Sequence, residues 1–494
     1  MASGRGLQVA WQARTERTRR MMRDIRPPRK RPDRLLMQCR CPIIPRHLQP
    51  TRNVMIRSEI RALLLLLAPL TLLVPLLGCG GDETPVSPAP SQTIVIGIDA
   101  LDWQVVDPLL EAGELPNLAA LANVATSGVN LSFVPLEKSP LIWASMATGL
   151  EPEDHGVGGF LKGRDEDYET LASAGDWRSP AVWDIAGAAG RRSCVIGWWV
   201  TYPARAIEGV MVSDHVSYTE AGSRNPDGMV QPAALTDEVA ALVVDWRDVP
   251  DDLVRRLVPT VTDAQLADPD DQRLRELRVV LAGDLTYLAT ARHLADREQW
   301  DLFAVYLRGL DLMCHKFWVY MDPGDAREPA ADDRALYGDV VPNYVRLLDD
   351  WLGELVAMFP ADANLVVVSD HGFHGPRRDR SGTIRKGVAE HRPDGALVIR
   401  SALYRQGTRF DRTFVLNMGP TLLALMGLPP SQEMPGRVMR DHLTDAGLSY
   451  VEHLEQHRIG SYAALAPAPP PEVAEDPALD AAVKKQLRSL GYVD

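Results

Sequence analysis

Seven residues of this chain combine the right types with telling positions: Asp99, Ser139, Asp311, His315, Asp370, His371 and His391. Asp99 closes the apolar run Thr93–Asp99 (TIVIGID), and Asp370 closes Asn364–Asp370 (NLVVVSD). Asp311 follows a third run, Asp301–Leu307, after a short turn. An acid at the carboxyl end of a buried parallel strand reaches the sheet edge where α/β proteins place ligands. His315 stands four residues after Asp311, His371 directly after Asp370, and His391 in a later Gly-containing loop region. Carboxylate oxygens with imidazole nitrogens suit zinc or manganese. Taken singly, each has an ordinary use as a helix cap, an ion-pair partner or a turn. Ser139 precedes Pro140 and the helical stretch LIWASMAT, closed by Gly149, so it reads as an N-cap. A helix start favours negative charge. The same hydroxyl therefore suits a plain cap or a nucleophile activated beside a metal.

The elements that must position these residues alternate between strand and helix. Helical spacing marks Leu115–Thr126, Val279–Asp296, Val341–Phe359 and Met418–Met426. Strand patterning marks Arg192–Val200, Gly209–Asp214 and Gly395–Arg400. Ser179-Pro180 before AVWDIAGAAG repeats the pattern of a capping Ser with Pro at N1. The expected class is α/β, with a mostly parallel central sheet and helices on both faces. Residues 215–275 are polar and irregular, and read as a small cap or insertion that shapes the pocket. The catalytic body spans 93–463, followed by a Pro/Ala-rich tail over 464–494 with a short helix near Ala481–Leu490.

The ordered set Asp99, Ser139, Asp311/His315, Asp370/His371 and His391 resembles the alkaline phosphatase superfamily, within it the type I phosphodiesterase/nucleotide pyrophosphatase group. The resemblance rests on VIGIDALDW, KSPLIWASMATGLEPEDHGV, LDLMCHKFW, VVVSDHGF, AEHRPDGALVI and NMGPTLLALMGLPPSQEMPGRVM. It implies an alkaline phosphatase-like fold and two divalent ions, usually zinc, with manganese as the second candidate. Asp99, Asp370 and His371 would hold one ion, Asp311, His315 and His391 the other, and Ser139 would bridge as nucleophile. The implied activity is phosphoester hydrolysis through a phospho-enzyme, with phosphodiesters or pyrophosphates as favoured substrates. A phosphomonoesterase and a phosphotransferase acting on envelope glycan or lipid head groups are the alternatives. A surface-binding lipoprotein without turnover is the non-enzyme alternative. His155, in EPEDHGV, is read as structural, tying down the turn after the nucleophile helix; His374 is given no role. Cys314 would point away from the face that Asp311 and His315 share, and Cys194 reads as a buried strand residue.

The match departs in one place. That group places an Asn after its His-Gly turn to hold a phosphate oxygen, whereas here the stretch is Gly158-Gly159-Phe160. Lys162 or a backbone N–H is the expected substitute. Phe160, Lys162 and Trp199 are the candidate substrate contacts, and Trp198, Trp199 and Tyr202 form a candidate aromatic wall. The sulfatase branch is disfavoured, because Pro140 follows Ser139 at once and Trp143 stands where that branch needs Arg.

The N-terminus is of a different character. Residues 1–61 carry 16 Lys/Arg and 4 Asp/Glu, a net of +12 that leaves −25 for the remainder of a chain of net −13. An acidic body argues against nucleic-acid binding, while leaving room for an anionic substrate held through metal ions. Ala62–Leu77 is uncharged, Leu-rich and interrupted by Pro69 and Pro75, which is short for a membrane span. Basic, apolar and then small residues form a secretory layout, and Leu76-Leu77-Gly78-Cys79 resembles a bacterial lipobox with Cys79 as the lipidated residue. The expected organisation is a basic 1–54 upstream of a natural start at Met55, a signal peptide over 55–79 and a flexible tether over 80–92. The implied location is the bacterial cell envelope, facing the periplasm or the exterior, tethered to the membrane. Five Cys in 494 residues exclude a disulfide scaffold.

Overall fold

The computed structural model describes residues 92–162, 170–218, 227–474 and 476–493. The basic segment, the signal region and Cys79 lie outside the described residues. No helix among the described residues is long and apolar enough to cross a membrane.

A nine-stranded sheet organises the chain. In chain order its strands are β1 (Thr93–Ile98), β2 (Thr126–Leu131), β3 (Ser193–Ile196), β4 (Gly209–Val212), β5 (Val230–Gln231), β6 (Leu302–Leu307), β7 (Asn364–Val368), β10 (Asp394–Arg400) and β11 (Thr408–Phe414). The short pair β8 (Gly372–Phe373) and β9 (His391–Arg392) forms a separate antiparallel ribbon. The spatial order is β11-β2-β10-β7-β1-β6-β3-β4-β5. β1 pairs in parallel with both β6 and β7, so Ile98 lies level with Leu307 and Gly97 with Val368. That register brings the residues just after three strands to one edge.

Period-two alternation in the buried strands sends side chains to two separate cores. Ile94, Ile96, Phe303, Val305 and Val367 enter one core; Val95, Ala304, Tyr306, Val366 and Val368 enter the other. Helices cover both. On the second core lie α1 (Ser139–Thr148) and α5 (Met418–Leu425). On the first lie α2 (Gln272–Ala295), α3 (Gly309–Met321), α4 (Val340–Ala357) and α6 (Pro477–Leu490). The described part of 215–275 holds the edge strand β5 and a run of short helices and turns, whose Val239, Val254, Leu257 and Val258 pack into the first core.

Three local expectations need correction. The helix expected after Ser179 begins at Val182, because Asp184 reaches back to accept the Ala181 N–H at 2.9 Å. Ser179 instead donates to the Asp154 carbonyl. Ser139 is the first residue of α1 rather than its N-cap, and its hydroxyl caps nothing. Two strands escape the sequence patterning altogether. β2 (TSGVNL) is polar, yet Asn130 is buried and donates to the Ser369 carbonyl at 2.8 Å. A Cβ at Gly128 would come within 2.4 Å of the Phe410 ring, which explains a glycine mid-strand. β11 alternates charged and buried residues at the sheet edge.

Candidate metal and phosphoester site

Each acid arrives on a rigid support. The Asp99 N–H donates to Leu307 O at 3.0 Å, which continues the β1–β6 ladder one residue past the strand. Asp311 sits in the first turn of α3, and His315 one turn later on the same face. The start of α3 is held by a side chain from elsewhere: buried Asp284 of α2 accepts from the Arg308 and Gly309 N–H groups at 3.2 and 3.1 Å. Tyr344 of α4 donates to its other oxygen at 2.8 Å. A carboxylate at this position satisfies orphan amides at the positive end of the helix. Asp370 and His371 follow β7, and His391 opens β9.

The side chains converge as two donor groups. Asp99, Asp370 and His371 form one; Asp311, His315 and His391 form the other. In the first, His371 Nε2 lies 3.2 Å from Asp99 Oδ1 and 3.4 Å from Asp370 Oδ2. In the second, His315 Nε2 and His391 Nε2 lie 3.4 and 3.3 Å from Asp311 Oδ1, and 3.0 Å from each other. Ser139 Oγ lies 3.1 Å from His371 Nε2, beside the first group.

These residues fit divalent cations. Asp99 Oδ1, Asp311 Oδ1 and both oxygens of Asp370 are buried with no hydrogen-bond partner. Buried carboxylates without partners are costly unless a cation balances them. Burial and the Asp311 charge raise Asp99, and burial and Asp99 push Asp370 well above the usual carboxylate range. Burial lowers His371 and His391 to about 4, leaving neutral imidazoles. The His371 Nδ1–H donates to Gly372 O at 3.0 Å, which aims Nε2 at the acids. Glu390 Oε2 lies 3.0 Å from His315 Nδ1 and fixes that ring in the same way.

Reasoning from sequence overlooked the supporting residues. Tyr306, inside β6, donates to Asp99 Oδ2 and accepts from Trp199 Nε1 at 2.6 Å. Glu390 directly precedes His391, a position that could have drawn notice. Arg308, three residues before Asp311, is buried and lies 4.1 Å above the Tyr218 ring. It has no ion-pair partner among the described residues, and its Nε has no hydrogen-bond partner. Tyr492, near the carboxyl end, places its hydroxyl 2.8 Å from Asp311 Oδ2. Only its aromatic character in an otherwise polar tail signals it.

The candidate substrate contacts divide. Phe160, Trp199, Tyr218 and Arg308 line the cavity that Asp99, Ser139 and Asp311 share. Lys162 lines neither this cavity nor the adjoining one. Trp198 is buried beneath, its Nε1 donating to the Trp143 carbonyl. Tyr202 stacks on His215 outside the cavities, with centroids 4.3 Å apart. Among the described residues of 215–275, His215 and Tyr218 line these two cavities, and α6 adds Val483, Gln486, Leu487 and Leu490. His155 accepts the Val157 N–H and meets Ser145 Oγ of α1 at 2.9 Å, joining the following turn to the helix that starts at Ser139. Cys194 and Cys314 are buried free thiols, and neither belongs to a donor group.

The family profile described as type I phosphodiesterase/nucleotide pyrophosphatase matches residues 93–401, more than half of the chain. The chain belongs to this family. It is thereby a member of the alkaline phosphatase superfamily, whose type I phosphodiesterase members are metal-dependent phosphoester hydrolases. No curated protein matches the chain. Among solved structures, phosphonoacetate hydrolase from Sinorhizobium meliloti 1021, in complex with phosphonoformate, is similar at 17% identity and a TM-score of 0.34. That match covers 60% of this chain and 59% of the hydrolase, so the chain spans under two thirds of that relative. Human ectonucleotide pyrophosphatase/phosphodiesterase 5 is similar at 12% identity and a TM-score of 0.41, over 72% of this chain and all of that one.

Proposed function

We propose that this chain hydrolyses phosphodiesters or pyrophosphates with Ser139 as nucleophile and two divalent ions, zinc in preference to manganese. Asp99, Asp370 and His371 would hold one ion, and Asp311, His315 and His391 the other. The observation that carries this reading is Ser139 Oγ at 3.1 Å from His371 Nε2, beside buried carboxylate oxygens that lack partners. Bound, the ions would neutralise the phosphoryl oxygens and favour ionisation of hydroxyls at the site.

The chain's own residues account for the rest. Ser139 opens α1, where backbone N–H groups and the helix dipole favour an alkoxide and a phosphoryl group. The Ser139 oxygen forms a bond to phosphorus as the bond to the leaving oxygen breaks, and that oxygen takes a proton. Water then attacks phosphorus, the Ser139 oxygen leaves and regains its proton, and the phosphoryl group with its remaining substituent is released as a phosphate monoester. Arg308 supplies the fixed positive charge that holds a non-bridging phosphoryl oxygen, in place of the family's missing Asn. Trp199 and Phe160 give the leaving group an aromatic wall. The envelope location and lipidation at Cys79 are part of the same proposal, supported by the signal-like sequence around it. Labelling with a fatty-acid analogue that persists in Cys79→Ala would remove that part.

The test compares bis-nitrophenyl phosphate with nitrophenyl phosphate, with and without chelator, for the wild-type chain and Ser139→Ala. Diester preference, chelator sensitivity and loss of turnover in Ser139→Ala are expected. Monoester preference would move the assignment to a phosphomonoesterase. Absence of turnover on both esters in metal-replete buffer would sink the hydrolase reading.

A further inference from the structure

The carboxyl-terminal helix ends inside the second donor group. Leu479, Val483, Leu487 and Leu490 form its buried stripe against the first core. Asp476 caps its start, accepting from Ala478 and Leu479 N–H. Gly491 ends it in the left-handed region at φ 80°, and the Tyr492 N–H returns to Leu487 O at 3.0 Å. That reversal sends the Tyr492 side chain into the protein, where its ring packs on Phe160 at 4.6 Å between centroids.

The Tyr492 hydroxyl faces all three donors of one group. It lies 2.8 Å from Asp311 Oδ2, 2.7 Å from His315 Nε2 and 3.1 Å from His391 Nε2. The two imidazole nitrogens lie 3.0 Å from each other and 3.4 and 3.3 Å from the other Asp311 oxygen, Oδ1. The hydroxyl and the two imidazole nitrogens form a triangle with edges of 2.7 to 3.1 Å, and Asp311 offers Oδ2 to the hydroxyl and Oδ1 to the imidazoles. Ligand atoms about 2 Å from a tetrahedral zinc lie about 3.3 Å from one another, so spacings of this order suit a shared ion. A phenol anchored for packing alone needs one acceptor; this one faces an atom of all three residues of the group.

We propose that Tyr492 is the fourth ligand of the ion held by Asp311, His315 and His391, so that α6 closes the centre and substrate enters by displacing it. This rests on the two-ion reading above. Four protein ligands make a closed site, whereas a catalytic site keeps a position open. Gln486, Leu487 and Leu490 line the cavity that contains Ser139, so the same helix also blocks the approach to the nucleophile. On binding the ion, Tyr492 loses its hydroxyl proton to solvent. On displacement by a phosphoryl oxygen it regains one.

The experiment loads the full chain with Co2+ and compares visible d–d spectra of wild type and Tyr492→Phe, with circular dichroism as the check on folding. The variant should show weaker, shifted bands and about tenfold lower Co2+ affinity at one of two sites. Inorganic phosphate should bind the variant about tenfold more tightly, and should convert the wild-type spectrum. Where Tyr492→Phe fails to fold, a chain ending at Gly491 gives the same comparison. Identical spectra and identical phosphate affinity in wild type and variant would overturn the ligand role while leaving the two-ion reading intact. Failure of either protein to retain Co2+ would overturn both.

Discussion

The imidazoles of His371 and His391 lie nearly face to face, with centroids 3.8 Å apart and planes 19° from parallel. They belong to different donor groups. Two stacked rings at this distance cannot both be charged, and burial lowers each to about 4. Both are therefore neutral near pH 7, with Nε2 lone pairs free to act as ligands. The stacked pair is the partition between the two donor groups.

Glu390→Gln should weaken ion retention at the Asp311 group about 10- to 100-fold, because the His315 ring loses the carboxylate that fixes its orientation. Equilibrium dialysis with Zn2+ measures this. Unchanged affinity would show that the ring is held by packing alone.

Tyr306→Phe removes the one hydroxyl that Asp99 and Trp199 share. About a tenfold loss in affinity at the Asp99 group is expected, with little change at the other. Equal losses at both groups would indicate general disruption of the core.

Arg308→Met should raise KM for an anionic ester about tenfold or more, as expected for loss of a hydrogen bond between charged partners. Lys162→Ala should leave KM unchanged, since Lys162 lines neither cavity. The reverse pattern would return the phosphate contact to Lys162.

Chelation should lower the melting temperature by about 5 °C, because ions that bind only the folded chain stabilise it by mass action. Differential scanning fluorimetry reads this shift, and Asp370→Asn should shrink it. A chelator-insensitive melting curve would argue that the buried acids are satisfied by protons.

Asp284 gives a pH signature independent of the ions. Burial raises it to about 6, partly offset by Tyr344 and Arg308. Its folded-state value lies above the unfolded one near 4, so the folded chain binds the proton more tightly. Its contribution is full below about pH 4 and is lost as pH rises to about 6. Asp284→Asn should flatten the fall in stability across that window. A wild-type curve no steeper than the variant's would contradict the assignment.

β1, β6 and β7 were legible because each is an apolar run buried on both faces, with an acid at the end of β1 and β7 and one a short turn after β6. β2 and β11 were not, since their stability comes from Asn130, Gly128 and Phe410 meeting across the sheet, and no local pattern encodes that. Ser139 was legible as the start of a helix, but its hydroxyl's partner lies 232 residues away. Arg308, Tyr306 and Tyr492 were missed for the same reason: their significance arises from burial and convergence. The share of α6 in the cavity wall was not legible either, because Val483, Gln486, Leu487 and Leu490 reach it only through the packing of the far end of the chain, beside His215 and Tyr218.

The run from the Trp199 indole through the Tyr306 hydroxyl to the Asp99 carboxylate has a bearing on adaptation. Under the proposed function, any change at Trp199 that widened the range of accepted leaving groups would also free the phenol that donates to Asp99. Breadth of substrate and grip on the cation would then be traded against each other through a single hydroxyl. A lineage altering one would have to retune the other by compensating changes around β6.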